Sequence, residues 1–198
     1  AIVTLPEILQ LLQRHRIQTG RNVGLYLETK HPTYFAQEGR YLNGAVISTD
    51  ITALLVAQLQ QYNHLLPANL YIQSFEILNL WQLKHHWLPQ SALLENGLEK
   101  KGTKIHLIQL LGDTEQAHLL PQSNFSEPYD VVYWRGQQSQ PAAYAEIAKK
   151  LPGIQHNGFH YGELLSEQGW QALASYANGI GPWRNNLYQR IDQPTPVL

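Results

Sequence analysis

The chain has 198 residues, 43% of them hydrophobic and 15% charged, with a formal net charge of −1 and an isoelectric point near 6.8. That length accommodates one sizeable globular core rather than two generous ones, and the near-neutral balance gives no reason to expect a nucleic acid or an anionic membrane as partner. There are no cysteines, which excludes a disulfide framework and a thiolate metal site; no apolar run approaches the roughly 20 residues that span a bilayer, and no signal peptide is legible at Ala1.

In chain order, Thr4-Leu-Pro-Glu7 has the form of a capping box, with Pro6 tolerated in the first turn, so a helix starts almost at once. Leu5, Ile8, Leu9 and Leu12 recur at spacings of three and four, and Gly20 marks the stop. The next stretch alternates apolar residues at Val23, Leu25 and Leu27 and then places Glu28 and Lys30 two residues apart, on one face of an extended chain. An apolar strand charged only at its C-terminal end is how a parallel α/β sheet presents a polar site at its strand tips. Pro32 ends this strand, and residues 33–44 read as a long loop of mixed aromatic and polar character.

A second helix over residues 48–62 is defined by Ile51, Leu54, Leu55 and Leu59. Leu70-Tyr-Ile-Gln-Ser-Phe75 is a second strand that again turns polar at its end, with Ser74 placed to cap a helix running through Leu80 and Trp81 to about His86. Residues 104–111 form a third strand, with Gln109 near its tip. Three repeats of strand, polar tip and helix are the pattern of βα units in a parallel sheet.

Between residues 112 and 161 the periodicity weakens, and most of the segment reads as an insertion on the functional side of the sheet. Within it, residues 129–134 suit a short strand or hairpin arm and residues 142–150 a brief helix. Residues 163–177 read as a helix that packs through Leu164, Leu165, Trp170, Leu173 and Ala177. Asn178-Gly-Ile-Gly-Pro182 then fits a short strand where another backbone or a ligand comes close. Residues 183–188 start a further helix or loop, and the stretch from 193 stops with no terminal element visible.

Four motifs in this order, Gly24-Leu-Tyr-Leu-Glu-Thr-Lys-His-Pro32, Tyr71-Ile-Gln-Ser-Phe75, Leu107-Ile-Gln-Leu110 and Tyr176-Ala-Asn-Gly-Ile-Gly-Pro182, together resemble the glycerophosphodiester phosphodiesterases, especially the longer bacterial periplasmic-type members. The resemblance implies a TIM-like (β/α)8 barrel. It also implies hydrolysis of a small-molecule glycerophosphodiester to glycerol 3-phosphate and an alcohol with a divalent cation, Ca2+ or Mg2+, and a periplasmic or secreted location. Carried over, Glu28 matches the carboxylate that binds the cation, the right donor for a hard metal. Lys30 matches the lysine that lies against the substrate phosphate. Gln73 and Phe75 match the polar and aromatic residues at the next tip, and Trp183 follows the late Gly-Ile-Gly-Pro strand as a candidate pocket residue.

The family pattern also has a His-Arg pair on its first strand, a Glu-x-Asp metal pair on its second and a further His-Asp, none of which occurs here in that setting. His15-Arg16 lies late in the first helix and is not the catalytic pair. The acid/base histidines are therefore expected upstream of Ala1, and the chain reads as a central part of the barrel, incomplete at both ends and inactive by itself. A non-catalytic binding module derived from the same barrel is the alternative. His85-His86, His156 and His160 read as structural or solvated, His31 as a loop histidine beside the tip, and Lys149-Lys150 as a solvated helix end; oligomeric state is not legible.

Overall fold

The computed structural model describes residues 2–91, 93–95, 98–99, 103–114 and 124–187. The stretch from residue 188 onward and residues 115–123 of the expected insertion lie outside them. Helix α1, Leu5–Thr19, begins as the capping box requires, with the Thr4 N–H and hydroxyl both reaching Glu7 Oε2 at 2.7 Å. It ends at Gly20, whose φ of 70° places it in the left-handed region and whose N–H donates to the Arg16 carbonyl at 2.9 Å.

The centre is a four-stranded sheet of order β1-β2-β5-β6, built from β1 Leu25–Glu28, β2 Asn69–Ser74, β5 Lys104–Leu111 and β6 Gly179–Pro182, with every neighbouring pair parallel. A small antiparallel ribbon, β3 Leu94–Glu95 and β4 Leu98–Glu99, lies between β2 and β5 in the chain. The sheet is α/β with parallel strands, as the βα repeats require and as a part of a TIM-like barrel would show.

Register decides which side chains share a face. Leu25 pairs with Leu70 and Leu27 with Ile72, and these continue to Ile105 and Leu107 on the face that the helices cover. On the other face Tyr26, Tyr71 and His106 stack in a row, with ring centroids 5.2 and 4.8 Å apart. Glu28 stands above Tyr26 on that second face, opposite Gln73.

The core forms where the sheet meets α3 Ile51–Gln61, α4 Ile77–Gln82, α7 Ala142–Lys150 and α8 Glu167–Ala174. Leu70, Ile72, Ile77 and Leu80 are fully buried there. Helix α4 does not stop near His86: it passes through a π-turn, Leu83–Trp87, into α5, Leu88–Gln90. The wider turn precedes Pro89, which has no N–H for a regular helical bond and would clash with the carbonyl four residues back.

Three local expectations change. Pro32 opens a helix, α2 Pro32–Gln37, rather than a loop, since a missing N–H is harmless in a first turn. Residues 129–135 form helix α6, Tyr129–Arg135, not a strand. Their aromatic and β-branched content favours a strand, but Val131 is fully buried and Asp130 bonds to the start of α4, contacts that hold the helix. Residues 161–165 are a 3-10 turn, and α8 starts only after Ser166, whose hydroxyl accepts the Gly169 N–H at 3.0 Å. The later start turns Leu165 and Trp170 outward, to 39% and 47% exposure, away from their expected packing.

The short β6 strand is small for a steric reason. A Cβ on Gly181 would come within 2.7 Å of the end of the Leu110 side chain, which would have to shift for a larger residue to pair with β5 there. Because the sheet's helical face carries the core, Ile72→Ala is expected to lower the unfolding free energy by about 2–5 kcal/mol, read as a reduced midpoint in urea at unchanged slope. A loss below about 1 kcal/mol would mean that the β2 face is not packed as described.

Candidate active site

The C-terminal ends of β1 and β2 are tied together through Thr29. Its N–H donates to the Gln73 carbonyl at 3.0 Å, its carbonyl accepts from the Ser74 hydroxyl at 3.2 Å, and its hydroxyl donates to Asn79 Oδ1 at 2.6 Å. Asn79 in turn donates to the Thr52 hydroxyl at 2.5 Å, so α3, α4 and both tips form one buried polar assembly. Ser74 does not cap α4 as its position suggested; Glu76 occupies that place, and the Ser74 hydroxyl accepts the Glu76 N–H at 3.2 Å.

The β2 tip is fixed from the other side by Gln109. This residue is fully buried, its amide donates to the carbonyls of Ser74 and Phe75 at 3.3 and 3.1 Å, and its oxygen accepts from the Tyr176 hydroxyl at 3.0 Å. The Tyr161 hydroxyl adds a second bond to the Phe75 carbonyl at 3.1 Å. Burial pushes both phenols above their ordinary range, so they remain donors.

Outside these tips lies a cleft of about 300 Å³. Glu28, Lys30 and His31 line it from the β1 side, Phe75 and Glu76 from β2, and Phe125, Glu127, Tyr129 and Tyr161 close it. Lys30 Nζ is 3.7 Å from Glu28 Oε1, and the Lys30 side chain is 71% exposed. An ion pair this long and this wet holds the lysine loosely, leaving it free to turn toward an anion. His31 holds a left-handed backbone conformation, φ 48° and ψ 49°, directly before α2, and its ring meets Tyr129 edge-on at 6.0 Å. A strained non-glycine residue on a cleft wall is the kind of outlier that accompanies a binding site.

Behind the cleft sit two buried carboxyls. Glu76 Oε2 accepts from the Thr33 N–H at 3.0 Å and the Thr33 hydroxyl at 2.6 Å, while Oε1 has no partner. Asp130 accepts the Leu78 N–H at 2.5 Å and the Val131 N–H at 2.9 Å, at the positive end of α4. Burial, and then the Asp130 charge, push Glu76 up to about 8, and burial pushes Asp130 up to about 7. Backbone N–H groups stabilise the ionised form of Asp130, so of the two carboxyls Glu76 holds the proton at neutral pH.

Of the residues singled out from the sequence, Glu28, Lys30 and Phe75 meet on the wall of one cleft. Gln73 stands beside Glu28 in register but outside that lining, and Trp183 packs edge-on behind Phe125 at 5.3 Å. His85 lies over Trp81 and reaches the Ser175 carbonyl at 3.1 Å, and the His160 ring accepts the Gly162 N–H at 3.2 Å, both structural roles. Sequence reading missed Glu76, although it directly follows Phe75 at a polar strand tip. It also missed Asp130 and Tyr129, whose segment carries no periodic signal.

For the divalent cation, Glu28 fits as one oxygen ligand. Among the described residues no group of three or more His, Asp or Glu side chains is arranged to hold a metal ion, whereas Ca2+ takes six to eight oxygens. The described residues thus do not complete such a site by themselves. Among them, no helix is long and apolar enough to cross a membrane.

Glu76 and Asp130 titrate above the ordinary values of 4.5 and 3.8. Between about pH 4 and 8 the unfolded chain therefore releases protons that the folded chain keeps, and their contribution to stability, complete below about pH 4, is lost as pH rises through that interval. The difference in urea unfolding free energy between wild type and Glu76→Gln, which cannot ionise, is expected to move against the wild type from pH 5 to pH 8. A difference that is flat, or that favours the wild type as pH rises, would contradict the protonated buried carboxyl.

Comparison with known proteins adds sequence similarity to this geometry. The chain is 25% identical over 183 residues to a glycerophosphodiester phosphodiesterase of Treponema pallidum, covering 91% of this chain and 38% of that protein. It is 26% identical over 154 residues to a glycerophosphodiester phosphodiesterase of Haemophilus influenzae, covering 77% of this chain and 36% of that one. No family model and no solved structure matches. The chain spans less than two fifths of the length of these curated relatives, and it resembles the glycerophosphodiester phosphodiesterases along most of its own length.

Proposed function

We propose that the cleft at the β1 and β2 tips is the cation and phosphate side of a metal-dependent glycerophosphodiester phosphodiesterase site, in a protein that releases glycerol 3-phosphate and an alcohol. The observation that carries this reading is the meeting of Glu28, Lys30 and Phe75 on one cleft wall, supported by the similarity to the two curated phosphodiesterases. In this reading the loosely held Lys30 ammonium turns onto the phosphodiester and offsets the negative charge that gathers on its oxygens in the transition state. Glu28, 3.7 Å away, presents an oxygen to Ca2+ or Mg2+, and a cation so held supplies Lewis-acid polarisation of the phosphoryl group. Phe75 gives the glycerol end an apolar wall. A periplasmic or secreted location is part of the same proposal and rests on the family resemblance.

The proton to the leaving alcohol and the activation of water are assigned to groups outside this chain, because its 198 residues hold no Glu-x-Asp and no strand His-Arg pair. Calorimetric titration of the chain with glycerophosphocholine in Ca2+ is expected to show binding. Lys30→Ala should weaken it at least about tenfold, roughly 1.4 kcal/mol, and Glu28→Gln should remove its dependence on Ca2+. The same samples should release no glycerol 3-phosphate; Ca2+-dependent turnover by the chain alone would overturn the placement of the acid/base groups. Affinity unchanged by both substitutions would overturn the site.

A further inference from the structure

Lys30 adjoins a second cleft residue that the phosphate reading leaves without a role, His31. The chain on either side of the pair is anchored inside the fold. Thr29, 3% exposed, is bonded to Gln73, Ser74 and Asn79, and Thr33, 9% exposed, gives its N–H and its hydroxyl to the buried Glu76 carboxyl. Pro32 is buried as well. With Thr29 and Thr33 both held inward, Lys30 and His31 stand out together on the cleft wall.

In a continued strand these two side chains would face opposite ways. His31 breaks the alternation by taking φ 48° and ψ 49°, a conformation that a Cβ disfavours and that a following proline restricts further. Glycine would hold this turn without the steric cost, so the backbone gives no reason for a ring here. That ring lies edge-on to Tyr129, which is itself held by donating its hydroxyl to the Glu38 carboxylate. Among the described residues neither imidazole nitrogen has a hydrogen-bond partner, and the ring carries at least one N–H donor whether neutral or charged. Lys30 supplies a compact charge without a fixed direction, its side chain 71% exposed and loosely paired. A planar N–H donor backed by a held aromatic ring supplies the direction. The ligand that meets both is an oxyanion, which takes the ammonium on one oxygen and the imidazole N–H on another.

We propose that His31 is a further ligand-binding residue of the cleft, donating a ring N–H to a phosphoryl oxygen of the anion whose charge Lys30 offsets. The inference rests on the phosphate-site reading above and adds to it the group that fixes how the phosphate is turned. It also gives the left-handed turn a purpose: the turn brings the imidazole to the same side as the ammonium.

Titration calorimetry of the full chain with inorganic phosphate and with sn-glycerol 3-phosphate, on wild type, His31→Gly and Lys30→Ala, tests this, together with the ¹⁵N resonances of the His31 ring in the wild type. His31→Gly keeps the left-handed turn without strain and removes only the ring, so it should weaken both ligands at least about fivefold while the chain stays folded. The ring ¹⁵N signals should move as phosphate is added. If His31→Gly binds like wild type while Lys30→Ala does not, the phosphate site stands and only the His31 role falls. If His31→Gly weakens binding but the ring signals stay in place, the residue acts through its backbone alone and the proposal fails. If wild type binds neither ligand, both readings fall. Should His31→Gly not fold, the ring signals of the wild type decide: movement on phosphate addition supports the proposal, and an unmoved ring overturns it.

Discussion

Everything at this site depends on how Thr29 is held. Its backbone continues the β1 to β2 ladder by one more bond to Gln73, and its hydroxyl anchors that ladder to Asn79 at the start of α4. Because side chains alternate along an extended chain, burying Thr29 turns the residues on either side of it, Glu28 and Lys30, to the opposite face. The two charges that define the site are thus exposed together because the residue between them is not. A slip of one residue in the β1 register would bury a charge on each side of the threonine and expose its hydroxyl.

Holding the tips in this way requires a polar layer inside the fold. Thr29, Thr52, Ser74, Asn79, Gln109 and Asp130 are all buried, where an apolar layer would be simpler to satisfy. Nearly every group in that layer has a partner, several with α3 or α4, so the layer positions the β tips against the helices instead of merely filling space. Among the described residues the exception is Glu76 Oε1, which is itself buried.

The sequence showed the scaffold where local chemistry and periodicity agree. The Thr4 to Glu7 box, Gly20, the apolar runs of β1, β2 and β5, and the Gly-Ile-Gly turn of β6 all appear in the fold within a residue or two of their expected places. The Glu28 and Lys30 tip was legible because charges confined to the end of an apolar strand mark the polar rim of a parallel sheet. Residues 129–135 were not legible: Val131, Val132 and Tyr133 favour a strand locally, and only contacts with α4, remote in sequence, make them helical. Glu76 escaped for the same reason. Nothing near it in the chain says that Asp130 lies behind it, and without Asp130 it reads as an ordinary solvated glutamate at a helix start.

The central claim is spatial: the β1 and β2 tips are the ligand-facing end of this sheet. Amide chemical shifts of the ¹⁵N-labelled chain, followed as glycerophosphocholine is added in the presence of Ca2+, test it most directly. The signals that move should belong to Glu28, Lys30, His31, Phe75 and Glu76, with those of Asn22, His64 and Leu65 at the opposite end of the strands unchanged. Shifts confined to that opposite end, or none at all at saturating ligand, would contradict it.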